Sequence, residues 1–172
     1  AAYVGPNPAL NAHVRSRGEE VRILAGATNG GAALVVRVAA GIAKPADLRG
    51  RKIATPQFGN TQDVACRAWL KQQGFKVTQT GGDVLVVPTE NPDQLAMFQK
   101  GEIDAAWTVE PWVSRLVAEA GGRVFLDEAD AVTTVLVGSA AFVAREPQLA
   151  ERLVQAHREL TRSLIDAPEA SQ

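Results

Sequence analysis

The sequence has 172 residues, of which 46% are hydrophobic and 22% charged, and its formal net charge is -1. This composition is typical of a soluble globular chain with one domain or two small lobes, and it gives no argument for binding nucleic acid or an anionic membrane. One cysteine excludes a disulfide framework, and two histidines far apart in sequence argue against a metal centre or histidine-dependent catalysis. No stretch is long and apolar enough to span a membrane.

Strands and helices alternate along the chain. Apolar runs between turn residues predict strands at 3–5, 21–27, 33–38, 52–54, 84–87, 103–108, 123–126, 133–137 and, more weakly, 141–143. Capping residues and apolar residues three and four apart predict helices at 6–14, 61–73, 92–100, 111–120 and from Pro147 onward, with Asn91 as one N-cap. Residues 21–38 are either a hairpin or a long bent connection. The alternation predicts an α/β fold with a mostly parallel sheet and helices on both faces.

Residues 55–63, TPQFGNTQD, join a predicted strand to a predicted helix. Gly59 permits a tight turn, Asn60 is a favourable N-cap, and Asp63 lies three residues later, where its side chain can reach back. Free N–H groups and the positive end of the helix dipole at such a helix start form a site for an anion. The alternative is an ordinary strand-to-helix turn with a good cap.

A second junction, DAAWTVEPW at residues 104–112, is predicted at the same edge of the sheet. In open α/β sheets, ligands bind beyond the carboxyl ends of the strands, and both junctions follow strand ends. Cys66 lies mid-helix among apolar residues and is predicted to be a buried small hydrophobe, not a nucleophile. Because residues 1–6 have the pattern of a strand already in progress, we expect a fragment whose targeting segment and first elements precede Ala1.

Five segments in one order carry a resemblance to a known family: YVGPN at 3–7, DLRGRKIA at 47–54, GNT at 59–61, AMFQKGEIDA at 96–105 and EPW at 110–112. The chain resembles the solute-binding proteins of ABC importers for aliphatic sulfonates, taurine, nitrate and related small anions, the NMT1/THI5-like family. The resemblance extends over nearly the whole chain. It implies a two-lobe, type II periplasmic-binding-protein-like fold with the solute in the cleft, one lobe being complete and the other partial.

The resemblance also implies a domain organisation and a function. Residues 1–44 correspond to a partial lobe one, 45–130 to lobe two with its βα repeats, and 131–172 to a crossover strand and a C-terminal helix that returns to lobe one. The implied function is to capture a small anionic or zwitterionic solute, sulfonate or taurine-like, for the permease subunits of an importer. The implied location is the periplasm or the outer face of the cytoplasmic membrane. The resemblance implies a protein that needs no cofactor or metal and is not an enzyme. A lipid anchor before Ala1 stays open.

Carried over by position, the resemblance implies three groups of site residues. They are Tyr3, Gly5, Pro6 and Asn7 on lobe one, Gly59, Asn60, Thr61 and Gln62 as donors to an anionic head group, and Trp107, Thr108 and Glu110 on the opposite wall. Some of these have a second interpretation. Tyr3 either donates to the solute or simply packs. Glu110 either pairs with an amine of a zwitterionic solute or caps the helix that follows. Trp107 and Trp112 either line an apolar pocket or are core or rim aromatics.

Two other functions stay open. The first is a pyrimidine-related protein that binds or makes a thiamin precursor; the relatives of this fold that make the pyrimidine use a lysine-bound cofactor and a cysteine-rich motif. The single cysteine, and a predicted cleft without lysine or histidine, argue against it. A regulator could use the same fold as its ligand-sensing domain. A signal peptide or lipobox before Ala1 favours transport, whereas a helix-turn-helix favours regulation.

Overall fold

The computed structural model describes residues 1–167 and divides into two compact units. Unit 1 comprises residues 1–28 and the described residues from Val132 onward, and unit 2 comprises Asn29–Ala131. Residues 168–172 of the predicted C-terminal segment lie outside the described residues. Within residues 1–167, no helix combines the length and the apolar composition needed to cross a bilayer.

The regular elements follow one another in the predicted alternation. The strands are β1 (Ala2–Val4), β2 (Val21–Asn29), β3 (Ala32–Arg37), β4 (Lys52–Thr55), β5 (Leu85–Pro88), β6 (Ala105–Val109), β7 (Gly122–Asp127) and β8 (Val132–Ser139). The helices are α1 (Pro6–Arg15), α2 (Thr61–Gln72), α3 (Asn91–Lys100), α4 (Trp112–Ala120), α5 (Ala140–Arg145) and α6 (Pro147–Asp166). Short 3-10 turns lie at Val38–Ala40 and Pro45–Leu48.

Unit 2 is built on a five-stranded sheet in the order β5-β4-β6-β3-β7. Strand β4 runs parallel to both β5 and β6, as the strand–helix alternation predicts. Strand β3 runs antiparallel to both β6 and β7, so the sheet is mixed. The prediction of an α/β unit with parallel strands is therefore confirmed for β4, β5 and β6, while β3 enters the sheet in the reverse direction.

The two faces of this sheet carry separate hydrophobic cores. Because successive strand residues point to opposite faces, β3 sends Leu34 into one core and Val35 into the other. Helix α2 covers the Leu34 face through Cys66 and Leu70. Helices α3 and α4 cover the opposite face through residues that include Phe98. Helices thus lie on both faces, as predicted.

Unit 1 has a three-stranded sheet in the order β1-β8-β2, with β1 antiparallel to β8. Val135 and Val137 of β8 pack with Ala9 of α1 in a small core. Several large apolar side chains of this unit are exposed, among them Ile23 of β2 and Leu160 of α6. In contrast, β3 of unit 2 is buried at every residue from Ala32 to Val36.

Three predictions about this architecture need correction. Residues 141–143 belong to helix α5 and are not a strand, because the Ser139 side chain accepts the N–H of Phe142 and caps a helix there. The hairpin interpretation of residues 21–38 is wrong, since β2 and β3 belong to different sheets. The structure divides after Thr28, not after residue 44, because β3 pairs with β6 and β7.

Candidate functional site

The strands of unit 2 that run in parallel end at one edge of its sheet. Strand β4 ends at Thr55 and β6 at Val109, and their parallel pairing places both ends on the same side. Helices α2, α3 and α4 begin shortly after β4, β5 and β6, respectively. Helix N-termini carry free N–H groups and partial positive charge, so this edge favours a negatively charged group. The predicted placement of both junctions at one edge is confirmed.

The turn before α2 has the predicted backbone and cap. Gly59 has φ +74°, the left-handed region that a residue without Cβ adopts at little cost. The Asn60 side chain accepts the N–H of Asp63 at 2.8 Å, so its N-cap role is confirmed. The N–H of Gly59 donates to Asp63 Oδ2 at 3.0 Å, and that of Asn60 donates to the Gln57 carbonyl at 3.2 Å. These two backbone donors are therefore occupied within the protein.

The open donors of this turn belong to the next two residues. Within residues 1–167, no intramolecular hydrogen bond accepts the backbone N–H of Thr61 or of Gln62. The Thr61 hydroxyl is shielded from solvent and has no hydrogen-bond partner in the same described part of the chain. A polar group in that state is destabilising unless a partner is supplied, so it requires an explanation. Of the four residues predicted to donate to a solute, only Thr61 and Gln62 therefore have a backbone N–H without an internal acceptor among the described residues.

A buried ion pair lies directly beneath the turn. Asp63 Oδ1 accepts the Thr55 hydroxyl at 2.8 Å, and both carboxylate oxygens lie 3.0 Å from Arg67 Nε. The Arg67 guanidinium also donates to the carbonyls of Thr78 and Val86, at 2.8 and 3.3 Å. Thr55 and Arg67 were not among the site residues predicted from the sequence. The available signal was the four-residue spacing of Asp63 and Arg67 on α2, which places opposite charges on one helix face.

At the second junction, residues 104–112, the two tryptophans pack within the protein. Trp107 is 1% exposed, its indole N–H donates to Glu128 Oε2 at 2.7 Å, and its ring meets Trp69 edge-on at 5.8 Å. The core interpretation of Trp107 is therefore confirmed, and in this structure its ring does not form an exposed wall. The partly buried Trp112 carries the Arg115 guanidinium 4.8 Å above its ring, which fits a rim aromatic.

Thr108 lies beside the start of α3. It is fully buried, and its hydroxyl donates to Asn91 Oδ1 at 3.0 Å. The predicted N-cap role of Asn91 is wrong, because Glu90 occupies the N-cap and Asn91 is the first helical residue. The Asn91 side chain is instead used to satisfy Thr108, a contact from another element that local sequence does not reveal.

Glu110 caps the helix that follows it. Its carboxylate accepts the N–H of Ser114 at 3.1 Å and the hydroxyl of the same residue at 3.0 Å. A carboxylate at a helix start also interacts favourably with the helix dipole. The capping interpretation is confirmed, while pairing of Glu110 with an amine of a solute stays a prediction.

Replacing Glu110 by glutamine is expected to lower the free energy of unfolding by about 0.5–2 kcal/mol, the usual cost of a lost cap. Ser114→Ala keeps the backbone N–H bond and loses only the hydroxyl bond, so it is expected to cost about 0.5–1.5 kcal/mol. If capping is the whole role of Glu110, neither change alters the ratio of the affinities for taurine and ethanesulfonate. Urea denaturation and calorimetric titration measure the two quantities. A selective loss of taurine affinity in Glu110→Gln, but not in Ser114→Ala, would instead assign Glu110 to the amine.

The predicted residues of unit 1 lie where β1 meets α1. Gly5 is the N-cap of α1, and Pro6 and Asn7 are its first helical residues. The Tyr3 hydroxyl lies 3.0 Å from His157 Nδ1, and His157 Nε2 lies 2.8 Å from the Gly26 carbonyl oxygen. Because a carbonyl only accepts, Nε2 carries a proton and donates to Gly26, while Nδ1 pairs with the Tyr3 hydroxyl. The Tyr3 hydroxyl is thus engaged inside unit 1.

Cys66 is completely buried in the core beneath α2. Burial raises the pKa of its thiol well above the usual range, because the thiolate would lose its hydration, and the nearby Asp63 charge acts in the same direction. The predicted role as a small buried hydrophobe is confirmed.

Comparison with known proteins yields one family and several relatives. The sequence profile of the NMT1-like family matches residues 1–172. The taurine-binding periplasmic protein of Escherichia coli K12 is 38% identical over 108 residues, which are 63% of this chain and 31% of that protein. The chain therefore spans about a third of this relative's length.

Solved structures share the fold. The periplasmic aliphatic sulphonate binding protein SsuA from Escherichia coli superposes with a TM-score of 0.80 at 19% identity, over 98% of this chain and 58% of that one. The alkanesulfonate-binding protein SsuA from Xanthomonas axonopodis pv. citri, bound to MOPS, gives 0.77 at 17% identity, over 98% and 57%. The α/β, periplasmic-binding-protein-like fold is thus shown, for a chain that spans just over half of each structure.

Proposed function

The chain belongs to the NMT1-like family, and on that premise we propose that it is the substrate-binding component of an ABC importer. Its solute is a small anion or zwitterion, an aliphatic sulfonate or a taurine-like molecule. It works outside the cytoplasm, in the periplasm or on the outer face of the cytoplasmic membrane, and passes the solute to permease subunits. The names of its relatives, a taurine-binding periplasmic protein and sulfonate-binding proteins, support this proposal.

The observation that carries the proposal is the set of open donors at the start of α2. The N–H groups of Thr61 and Gln62 have no internal acceptor among residues 1–167, and the Thr61 hydroxyl lacks a partner there as well. Neutral donors at a helix N-terminus hold a sulfonate without a buried cation. The role is binding alone, without a chemical step on the solute.

The charge beneath the turn is compatible with an anion. A lone carboxylate at Asp63 would repel a sulfonate, but Arg67 lies 3.0 Å from both of its oxygens and balances its charge. The solute would therefore meet N–H and O–H donors above a neutral pair. This arrangement favours a singly charged head group held by hydrogen bonds.

Calorimetric titration with ethanesulfonate, taurine, nitrate and the neutral ethanesulfonamide tests the proposal. Ethanesulfonamide has nearly the shape of ethanesulfonate but no charge. Hydrogen bonds to charged groups contribute about 1.5–3 kcal/mol and neutral ones about 0.5–1.5, so we expect the sulfonamide to bind at least about tenfold more weakly. Equal affinity for the two molecules, or no affinity for any of the anions, would overturn the proposed solute class. Preferential binding of a pyrimidine would favour the thiamin-precursor alternative.

A further inference from the structure

We propose that Asp63 is a positioning residue of this site. It fixes the turn at Gly59 so that the N–H groups of Thr61 and Gln62 stay open to the solute. The solute part of this inference rests on the proposed function, whereas the role of Asp63 in the turn rests on the local geometry alone. Asp63 does not touch the solute in this arrangement, because its carboxylate is fully used inside the protein.

The Asp63 carboxylate joins three segments that are separate in the fold. It accepts the Thr55 hydroxyl at the end of β4, the Gly59 N–H within the turn, and the Arg67 guanidinium one helical turn along α2. The backbone N–H of Asp63 in addition donates to the Asn60 side chain. One side chain therefore couples the strand end, the turn and the helix start, which are the parts that would have to keep a fixed geometry around an anion.

Burial makes this coupling strong. The Asp63 side chain is 2% exposed, so its charge has almost no contact with bulk water, and the Arg67 side chain is 14% exposed. Breaking a buried pair by removing one partner leaves an uncompensated charge, which is far more damaging than removing an exposed pair. The carbonyls of Thr78 and Val86 hold the remaining guanidinium nitrogens, and they fix the direction from which Arg67 approaches.

The same contacts decide which donors the solute can reach. With its N–H bonded to Asp63, Gly59 is withdrawn from the solute, and the Asn60 N–H is withdrawn by Gln57. The first open N–H groups along the chain are then those of Thr61 and Gln62, at the positive end of α2. A substitution at Asp63 would therefore affect solute binding indirectly, by moving the N–H groups of Thr61 and Gln62.

The test is Asp63→Asn, measured by amide hydrogen exchange at Gly59 and by ethanesulfonate titration. The asparagine amide offers one acceptor oxygen where the carboxylate offers two, so the three donors of Thr55, Gly59 and Arg67 cannot all be satisfied. We expect the Gly59 amide to exchange at least about tenfold faster and the Kd for ethanesulfonate to rise about fivefold or more.

Asp104→Asn is the matched control. The Asp104 carboxylate also accepts a backbone N–H, that of Lys52 at 3.0 Å, and pairs with Arg51 at 3.3 Å, with its side chain 16% exposed. It lies before β6, at the opposite edge of the same sheet. We expect this variant to lose stability while Gly59 exchange and the Kd for ethanesulfonate stay at the wild-type values.

A second pair of variants decides the matter if Asp63→Asn does not fold. Thr55→Val removes the hydroxyl that donates to Asp63 while keeping the shape, and Thr55→Ser retains the hydroxyl. We expect about a threefold rise in Gly59 exchange and in Kd for Thr55→Val, the usual effect of one net hydrogen bond, and recovery in Thr55→Ser.

Two results would overturn the inference. One is wild-type Gly59 exchange in folded Asp63→Asn or, where that variant does not fold, in Thr55→Val. The other is an Asp104→Asn variant that accelerates Gly59 exchange and raises the Kd as much as Asp63→Asn does, which would indicate a general loss of stability. If the wild-type protein binds neither ethanesulfonate nor any of the other anions, the proposed solute class fails, and Gly59 exchange alone then supports or overturns the positioning role.

Discussion

Replacing Asn60 and Thr61 together by alanine is expected to weaken ethanesulfonate binding by about tenfold or more. Hydrogen bonds to a charged group contribute about 1.5–3 kcal/mol each, and about 1.4 kcal/mol corresponds to a factor of ten in Kd. The double change removes the unpartnered Thr61 hydroxyl and the polar side chain of Asn60 from the start of α2. Calorimetric titration of the wild-type and variant proteins measures the effect.

The folded state should survive this change, since a lost N-cap costs only about 1 kcal/mol. Ser139→Ala is a suitable control, because Ser139 caps α5 with its side chain as Asn60 caps α2. It should show a comparable loss of stability with no loss of ethanesulfonate affinity. Unchanged affinity in the double variant would move the head group elsewhere and leave the turn as a plain helix cap. No binding by either protein would point to an amine-bearing or neutral solute, for which Glu110 is the candidate partner.

Phe98→Ala is expected to lower the free energy of unfolding by about 3–5 kcal/mol, the usual cost of emptying a large aromatic site in a packed core. Phe98 is 0% exposed and packs with Val35 of β3 and Leu116 of α4. For a unit of this size, such a loss corresponds to a fall in Tm of more than about 12 °C. Urea denaturation followed by circular dichroism measures the free energy, and thermal scans measure Tm.

Phe58→Ala deletes the same atoms at a surface position and is the matched control. Phe58 is 53% exposed and contacts the Arg67 guanidinium, 5.4 Å from its ring centroid. We expect it to cost no more than about 1 kcal/mol, the value of an exposed cation–π contact. Equal destabilisation by the two substitutions would contradict the assignment of Phe98 to a core that β3 shares with α3 and α4.

Local signals were sufficient for the elements that frame the candidate site. The glycine at position 59 and the asparagine at 60 indicate a tight turn and a helix start, and the structure has both. The turn depends on the φ preference of one residue, and the cap depends on a hydrogen bond between residues three apart. Both can therefore be predicted from the neighbouring sequence. The same holds for Glu110 and Ser114, which are four residues apart.

Contacts between segments that are distant in sequence could not be predicted from such local signals. The hydrophobic run at β3 has the same appearance in a hairpin or in a central strand, and only pairing with β6 and β7 places it inside unit 2. Asn91 has the side chain of an N-cap, but the buried hydroxyl of Thr108 takes its oxygen. Buried polar groups are almost always hydrogen-bonded, and here the Asn91 side chain supplies the partner of the buried Thr108 hydroxyl.

The sequence by itself determined the α/β class, the order of strands and helices, and the turn and cap before α2, because these follow from hydrophobic periodicity and short-range capping. Only the tertiary structure showed how the carboxylate that takes the Gly59 N–H is held in place. The Gly59 N–H is taken by Asp63, whose carboxylate is held by Thr55 and Arg67, and Arg67 is in turn held by carbonyls of β5 and of the loop before it. Buried polar groups must be paired, and their partners come from whichever segments the fold brings together.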